Sequence, residues 1–429
     1  MHLQLRQWRL GLLPAVPQFY KIMRKQAEQI INDAIAAVLP DAAVKRALEN
    51  QNFSGRVILV AAGKAAWQMA KAAFDCIGEK IDAGIVITKY DHVKGPIGTL
   101  VCYEAGHPIP DENSFLATQK ALDMVADLSP QDTVLFLLSG GGSALFEKPM
   151  VSGEELQEIT SQLLASGAGI TEMNTIRKRL SAVKGGRFAL ACAPAQVYSV
   201  VLSDIIGDPL DMIASGPAYP DSTTCAMAKD IVKKYDLKLS ADALACLDME
   251  TPKELSNVTT QITGSVSQLV SAAAAAAEKL GYEPHILTDC LNCQAKEAGT
   301  FLAAIASTHS NSGKKLAFLA GGETVVKLTG TGKGGRNQEL ALSAAAGIDG
   351  LKNVCIFSVG SDGTDGPTDA AGGYADGTMA QQLRESGIDI YDVLQNNDAY
   401  HALQKTGGLI ITGPTGTNVN DVAVVLIAQ

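Results

Sequence analysis

Apolar residues recur at helical spacing from Met23 to about Leu48, at Ile30, Ile31, Ala34, Ala37 and Val38, which predicts one amphipathic helix. The pattern then changes. Continuously apolar runs end in glycine and polar residues and give way to helical stretches at 56–74, 83–89, 132–146 and 195–209. Strands without polar alternation are buried on both faces, as in a parallel sheet between helices. Residues 225–262 are weaker and more polar, and "CLDMETPKELSNVTTQ", which contains Pro252, predicts a linker. An alanine-rich helix at 265–281 restarts the theme. Apolar runs "HILTD", "LAFLAGGE", "TVVKLTG", "NVCIFSVGSDG", "GLIITGPTG" and "VAVVLIA" follow it. The expected fold class is α/β, with two α/β domains and mainly parallel sheets. The boundaries fall at 23–250 and 251–429, with residues 1–22 as a disordered or non-native extension.

Charge and cysteine content narrow the function. The net charge of −10 opposes a nucleic-acid partner, whose affinity would rest on a basic surface. The eight cysteines are scattered and form no secreted disulfide framework, so a reducing, cytoplasmic setting is expected. Cys290 and Cys293 make a single C-x-x-C with no second pair, read as two buried thiols at a helix start rather than a zinc site. No run is long and apolar enough to span a bilayer, so no membrane partner is expected.

Ligands of open α/β sheets bind beyond the carboxyl ends of strands. The polar, glycine-rich clusters sit there: Gly63-Lys64, Ser139–Ser143, Ser203–Pro209, Gly321–Glu323, Gly330–Asn337, Gly360–Asp369 and Gly413–Asn418. They come from both halves, which predicts an active site in an interdomain cleft. Three glycines in "LLSGGGSALF" exceed what a turn needs and suit backbone approach to an anion. Lys64 is followed by Ala65, so no P-loop is present; it is either a point-charge anion binder or a solvated lysine. "MNTIRKRLSAVKGGRFA" carries five basic residues, and Arg177, Ser181 and Lys184 at helical spacing predict an anion-facing wall. Asp204 and Asp208 in one half, and Asp362, Asp365 and Asp369 in the other, lie on glycine loops. Such carboxylates suit Mg2+, although Asp and Gly also simply make turns. His107, in a polar loop, is either a substrate contact or a turn residue, and no nucleophile–histidine pairing stands out.

Gly330, Gly332 and Gly335 fit G-x-G-x-x-G, the dinucleotide fingerprint. Lys333 and Arg336, however, put bulky cations where such a turn presents bare backbone. A guanidinium at a helix start can fork onto phosphoryl oxygens, so phosphoryl transfer is favoured over hydride transfer.

Taken jointly, "LLSGGGSAL", "MNTIRKRLSAVKGGRFA", "VLSDIIGDPLDMIASGPAYPD", "GGETVVKLTGTGKGGRNQELAL", "SVGSDGTDGPTDAAGG" and "LIITGPTGTNVNDV" resemble the class II glycerate 2-kinases. The C-terminal part of that family is the MOFRL domain, and some members carry the label hydroxypyruvate reductase. The resemblance covers the chain from about residue 23 to its end. Arg179, Ser361 and Gly373 depart from the family pattern.

The resemblance implies a Rossmann-like N-terminal domain and a MOFRL-type C-terminal domain. It implies transfer of the ATP γ-phosphoryl group to the 2-hydroxyl of D-glycerate, with ATP and Mg2+ or another divalent cation. Lys64 and Arg336 map to the family's catalytic lysine and arginine. Substrate and nucleotide contacts are assigned to Ser139, Gly140, Gly141, Gly142, Ser143, Asn174, Arg177, Lys184, Glu323, Lys333, Gly335, Asn337, Asp362, Asp369, Thr415 and Asn418. Asp204, Asp208 and Asp365 are assigned to the metal. A monomer or homodimer is expected. Two readings compete: an NAD(P)H-dependent hydroxypyruvate reductase and a non-catalytic nucleotide-binding regulator.

Overall fold

The computed structural model describes residues 18–429. It divides into two compact units, Leu39–Ser265 and a second made of residues 18–38 with Val266–Gln429. Most of the expected extension, residues 1–17, lies outside the described residues. Residues 18–22 are already helical.

The first unit is built on six strands: β1 (Val57–Ala62), β2 (Ile81–Lys89), β3 (Val101–Ala105), β4 (Thr133–Leu138), β5 (Gln196–Leu202) and β6 (Val258–Gly264). They lie in the order β3-β2-β1-β4-β5-β6, parallel throughout. All six residues of β1 are buried, and alternation sends them to opposite layers. Ile58, Val60 and Ala62 join a core with Phe136, Phe146 and Phe188, while Val57, Leu59 and Ala61 join Met69, Ala70 and Ala73 of the helix Ala66–Ile77. Two covered faces explain the unbroken apolar runs. The strand order is that of doubly wound dinucleotide-binding sheets, whose ligand crevice opens where the order reverses, here between β1 and β4.

The second unit holds β7 (Glu283–Leu291), β8 (Leu316–Gly322), β9 (Val354–Gly360), β10 (Gly372–Asp376), β11 (Leu409–Ile410) and β12 (Asp421–Ile427). Their order is β11-β10-β9-β12-β8-β7. Here the expectation of a mainly parallel sheet fails, because only β7 and β8 run parallel. The central strand β12 is antiparallel to both β8 and β9, with Asp421 opposite Gly322 and Gly360. The first residue of β12 therefore lies at the carboxyl ends of its two neighbours.

Several expected elements shift. The single N-terminal helix is two, Gln18–Ala37 and Pro40–Leu48, because Pro40 starts a new helix rather than continuing one. The first of these belongs with the second unit: Arg24 Nη2 donates to the Leu409 carbonyl at 2.8 Å, and Tyr282 Oη donates to Gln26 Oε1 at 2.7 Å. The expected boundary near 250/251 moves to 265/266, since the polar stretch 258–264 is edge strand β6, hydrogen-bonded to β5. One side of an edge strand is open, so its sequence carries less apolar signal. "TVVKLTG" forms no strand; Val325 and Leu328 are exposed and the segment makes only an isolated bridge, Gln294 to Val325. Cys290, at the end of β7, and Cys293 are exposed rather than buried at a helix start.

The helices Ala295–His309 and Arg336–Gly347 cross so closely that a Cβ at Gly299 would collide with the Leu340 carbonyl. Alanine is the better helix former by about 1 kcal/mol, but overpacking costs about 1–3 kcal/mol. Gly299→Ala is therefore expected to lower the melting temperature; a raised value in thermal unfolding would contradict this packing.

Candidate active site

In the first unit the turns after β1 and β4 lock together. Lys64 N–H donates to the Gly140 carbonyl at 2.9 Å, and Ala65 N–H donates to Ser139 Oγ at 3.1 Å. Gly141 adopts φ 85°, a left-handed conformation that lets the chain turn into the short helix Gly142–Leu145. A side chain there would meet the His107 ring at 3.0 Å and Lys64 Cγ at 3.1 Å, and one at Gly140 would strike Asp204. The turn thus gathers Lys64, His107 and Asp204 around Ser139–Ser143. The Lys64 side chain is exposed and its ammonium has no hydrogen bond or ion pair among the described residues. Burial pushes the His107 imidazole below its ordinary value, and Lys64 and Lys89 push it in the same direction. His107 was only weakly signalled by sequence; its place shortly after β3 was the available clue.

Asp208 Oδ1 is buried without a hydrogen-bond partner. Together with Asp204 it offers two carboxylates on one glycine loop, a donor set that fits a magnesium ion retaining waters and phosphate oxygens. Asp365, the third expected ligand, does not fit. Its two oxygens accept from the backbone N–H groups of Asn337 at 3.2 Å and Gln338 at 2.9 Å. It satisfies the start of the helix Arg336–Gly347. Burial nevertheless pushes its carboxyl up, against the pull of those bonds. No group of three or more metal-ligating side chains occurs among the described residues.

The basic segment turns inward. Its helix ends at Arg179, so Arg177 and Lys184 do not share a helix face. Lys184 is fully buried and donates to Glu147 Oε2 at 2.5 Å and to the Phe146 carbonyl at 3.1 Å. Burial pushes its ammonium down, opposed by Glu147. Lys178 pairs with Asp221 at 3.1 Å and Asp211 at 3.3 Å; Arg179 binds Thr223 and lies 3.6 Å from Asp221. Asn174 accepts from Ser215 Oγ at 3.1 Å. Lys184 and the Asn174 amide oxygen are thus engaged by internal bonds. Arg177 is partly buried and has no hydrogen bond among the described residues; burial pushes its guanidinium down, opposed by Glu147.

In the second unit the glycine loop is occupied by protein. Asn397 Oδ1 accepts from the N–H groups of Thr329 and Gly330 at 2.7 and 3.0 Å. Asn396 Oδ1 accepts from Thr331 N–H at 3.2 Å, and Asp398 Oδ1 from Lys333 N–H at 2.8 Å. Gly330 and Gly332 make room for the backbone of 396–398, and Gly335 for the Asp365 carboxylate. Gly335 therefore has a packing role. Lys333 Nζ lies 4.3 Å from the centre of the Tyr400 ring, whose hydroxyl donates to Asp369 at 2.7 Å.

Arg336 is gripped differently. Its Nε and Nη2 donate to the two oxygens of Asp421 at 2.5 and 2.8 Å, and Glu323 lies 3.7 Å away. Burial would lower the guanidinium pKa, but Asp421 and Glu323 hold it above the usual arginine value. Burial pushes Asp421 up to about 6 despite Arg336. Asn337 is buried between Ser358 and Asp365, while Asn418 is exposed. Asp362 Oδ1 accepts from Thr364 N–H at 2.9 Å, and Thr415 Oγ1 donates to the Ser361 carbonyl at 2.6 Å. Asp421 was missed because it begins a strand rather than ending one.

A model described as a domain of unknown function (DUF4147) matches residues 26–248, and one described as the MOFRL family matches 316–421. A Thermotoga maritima protein named D-glycerate 2-kinase is 52% identical over 411 residues, 94% of this chain and 98% of that protein. An Agrobacterium vitis protein named putative hydroxypyruvate reductase is 40% identical, with 94% of each chain covered. A Thermotoga maritima crystal structure titled glycerate kinase superposes with a TM-score of 0.92 at 52% identity, covering 95% of this chain and 100% of that one.

Breaking a buried ion pair from one side costs about 3–5 kcal/mol. Lys184→Met is expected to lose stability of about that size in urea unfolding, and Glu147→Leu in the same chain to restore most of it. A raised KM at unchanged stability would instead restore the ligand-binding role.

Proposed function

Because the chain belongs to the class II glycerate 2-kinase family, with its MOFRL C-terminal part, we propose that it phosphorylates the 2-hydroxyl of D-glycerate with ATP through Lys64 and Arg336. The products are 2-phosphoglycerate and ADP. The observation that carries the chemical assignment is the state of the G-x-G-x-x-G loop. A dinucleotide turn needs free backbone N–H groups facing a pyrophosphate, and here those of Gly330, Thr331 and Lys333 are taken by Asn396, Asn397 and Asp398. The loop instead delivers a cation, Arg336, to the first position of a helix at the sheet end.

In the first unit, the unpaired ammonium of Lys64 and the Ser139–Ser143 turn suit an anion, either the glycerate carboxylate or a phosphate. The strand order of this sheet also occurs in hydride-transferring enzymes, but its first turn is "AAGKAAW", without the glycine fingerprint. Asp204 and Asp208 would hold a divalent cation. When bound, such an ion would neutralise charge on the phosphate oxygens. In the second unit, Arg336 would stabilise the charge that develops on the transferred group. Little covalent work falls to the protein in such a reaction, so position and charge carry most of the rate.

Arg336→Ala is expected to lower kcat by about 10³-fold with the circular dichroism spectrum retained, while the melting temperature falls because buried Asp421 loses its partner. Near-normal turnover with D-glycerate and ATP would remove Arg336 from the mechanism. The same protein should fail to oxidise NADH or NADPH in the presence of hydroxypyruvate; turnover there would establish the reductase reading instead.

A further inference from the structure

Among the described residues the ion pairs differ in burial. Lys184–Glu147 and Lys178–Asp221 are buried on both sides, with side-chain exposures of 0%/3% and 1%/0%. Pairs such as Lys71–Asp75 are exposed on both sides. The first kind holds the fold and the second contributes little. Arg336–Asp421, like Arg56–Asp132, is mixed, with the carboxylate 7% exposed and the guanidinium 27%. A buried acid holds a base that still reaches solvent.

The hold is directional. Asp421 takes Nε–H and one N–H of Nη2, the side-on fork that fixes the guanidinium plane. Glu323 stands beside the same Nη2 at 3.7 Å. Nη1, with two further donors, makes no hydrogen bond among the described residues. Asp421 is itself rigidly placed. It is the first residue of the central strand β12, paired on both sides at Gly322 and Gly360. Asp365 fixes the backbone from which Arg336 projects.

We propose that Asp421 is a positioning residue for phosphoryl transfer, holding Arg336 side-on so that its Nη1 edge is presented to the transferring phosphoryl group. The inference rests on the kinase reading of Arg336. It accounts for why a carboxylate is buried beside a catalytic cation whose charge it partly cancels. A free arginine side chain populates many rotamers, and each must be given up on binding. A guanidinium already fixed in plane gives up little when the reacting group arrives. The role of Asp421 is therefore in geometry, and its loss should fall on kcat more than on KM.

Four variants test this with D-glycerate and ATP: D421N, D421E, R336A and the double variant R336A/D421N. D421N is expected to lower kcat by about 10²-fold, with both KM values within about twofold, and D421E to recover part of the loss. The double variant should be no slower than R336A, because the two residues act as one unit. It also leaves no unpaired buried charge, so it should fold even where D421N is unstable. Added guanidinium should restore part of the R336A activity, and fail to do so in the double variant. Parental kcat in D421N, or a double-variant loss equal to the product of the single losses, overturns the inference while leaving Arg336 in place. Guanidinium rescue that is equal with and without the Asp421 carboxylate overturns it as well. Parental kcat in R336A overturns both the inference and the assignment of Arg336 on which it rests.

Discussion

An arginine that must present its charge at a sheet end, without wandering, needs a fixed carboxylate behind it. In this protein the carboxylate is Asp421, and the device that fixes it is an antiparallel central strand. Had β12 run parallel to β8 and β9, its first residue would lie at the opposite end of the sheet from the glycine loops. Reversal brings a strand start to the place where doubly wound sheets put strand ends. The mixed character of the second sheet is thus part of how the site is made.

Two aspartates near Arg336 divide the labour. Asp365 accepts from helix N–H groups and fixes where the helix begins, whereas Asp421 accepts from the guanidinium and fixes how the side chain lies. Both are pushed up by burial, and each is held by the donors it organises. The glycines between Thr329 and Arg336 serve the same end. They let the 396–398 segment and Asp365 approach the loop, so a sequence that resembles a dinucleotide turn is a packed support for one cation. In the first unit the glycine turn at 139–143 does something different, leaving Lys64 unpaired beside His107.

What could be read from sequence follows burial. Strands β1 and β4 are buried at every position because helices cover both faces, so they and the α/β class were legible. Edge strand β6 was not, because its burial alternates. Lys64 and Arg336 stood out as cations on glycine loops. Asp421 did not, because the rule that ligands gather at carboxyl ends of strands assumes parallel strands. The basic run at 177–187 misled for another reason. A charge pattern does not reveal its partners, and Glu147 and Asp221 lie 37 and 43 residues from the lysines they meet. The resemblance to the glycerate 2-kinases supplied what composition and spacing could not, namely which hydroxyl is phosphorylated.

That regiochemistry is directly measurable. Phosphorus NMR of the product formed from D-glycerate and ATP distinguishes the two phosphoglycerates directly. The expected product is 2-phosphoglycerate with stoichiometric ADP. Formation of 3-phosphoglycerate, or of no phosphorylated product from any 2-hydroxy acid, would contradict it.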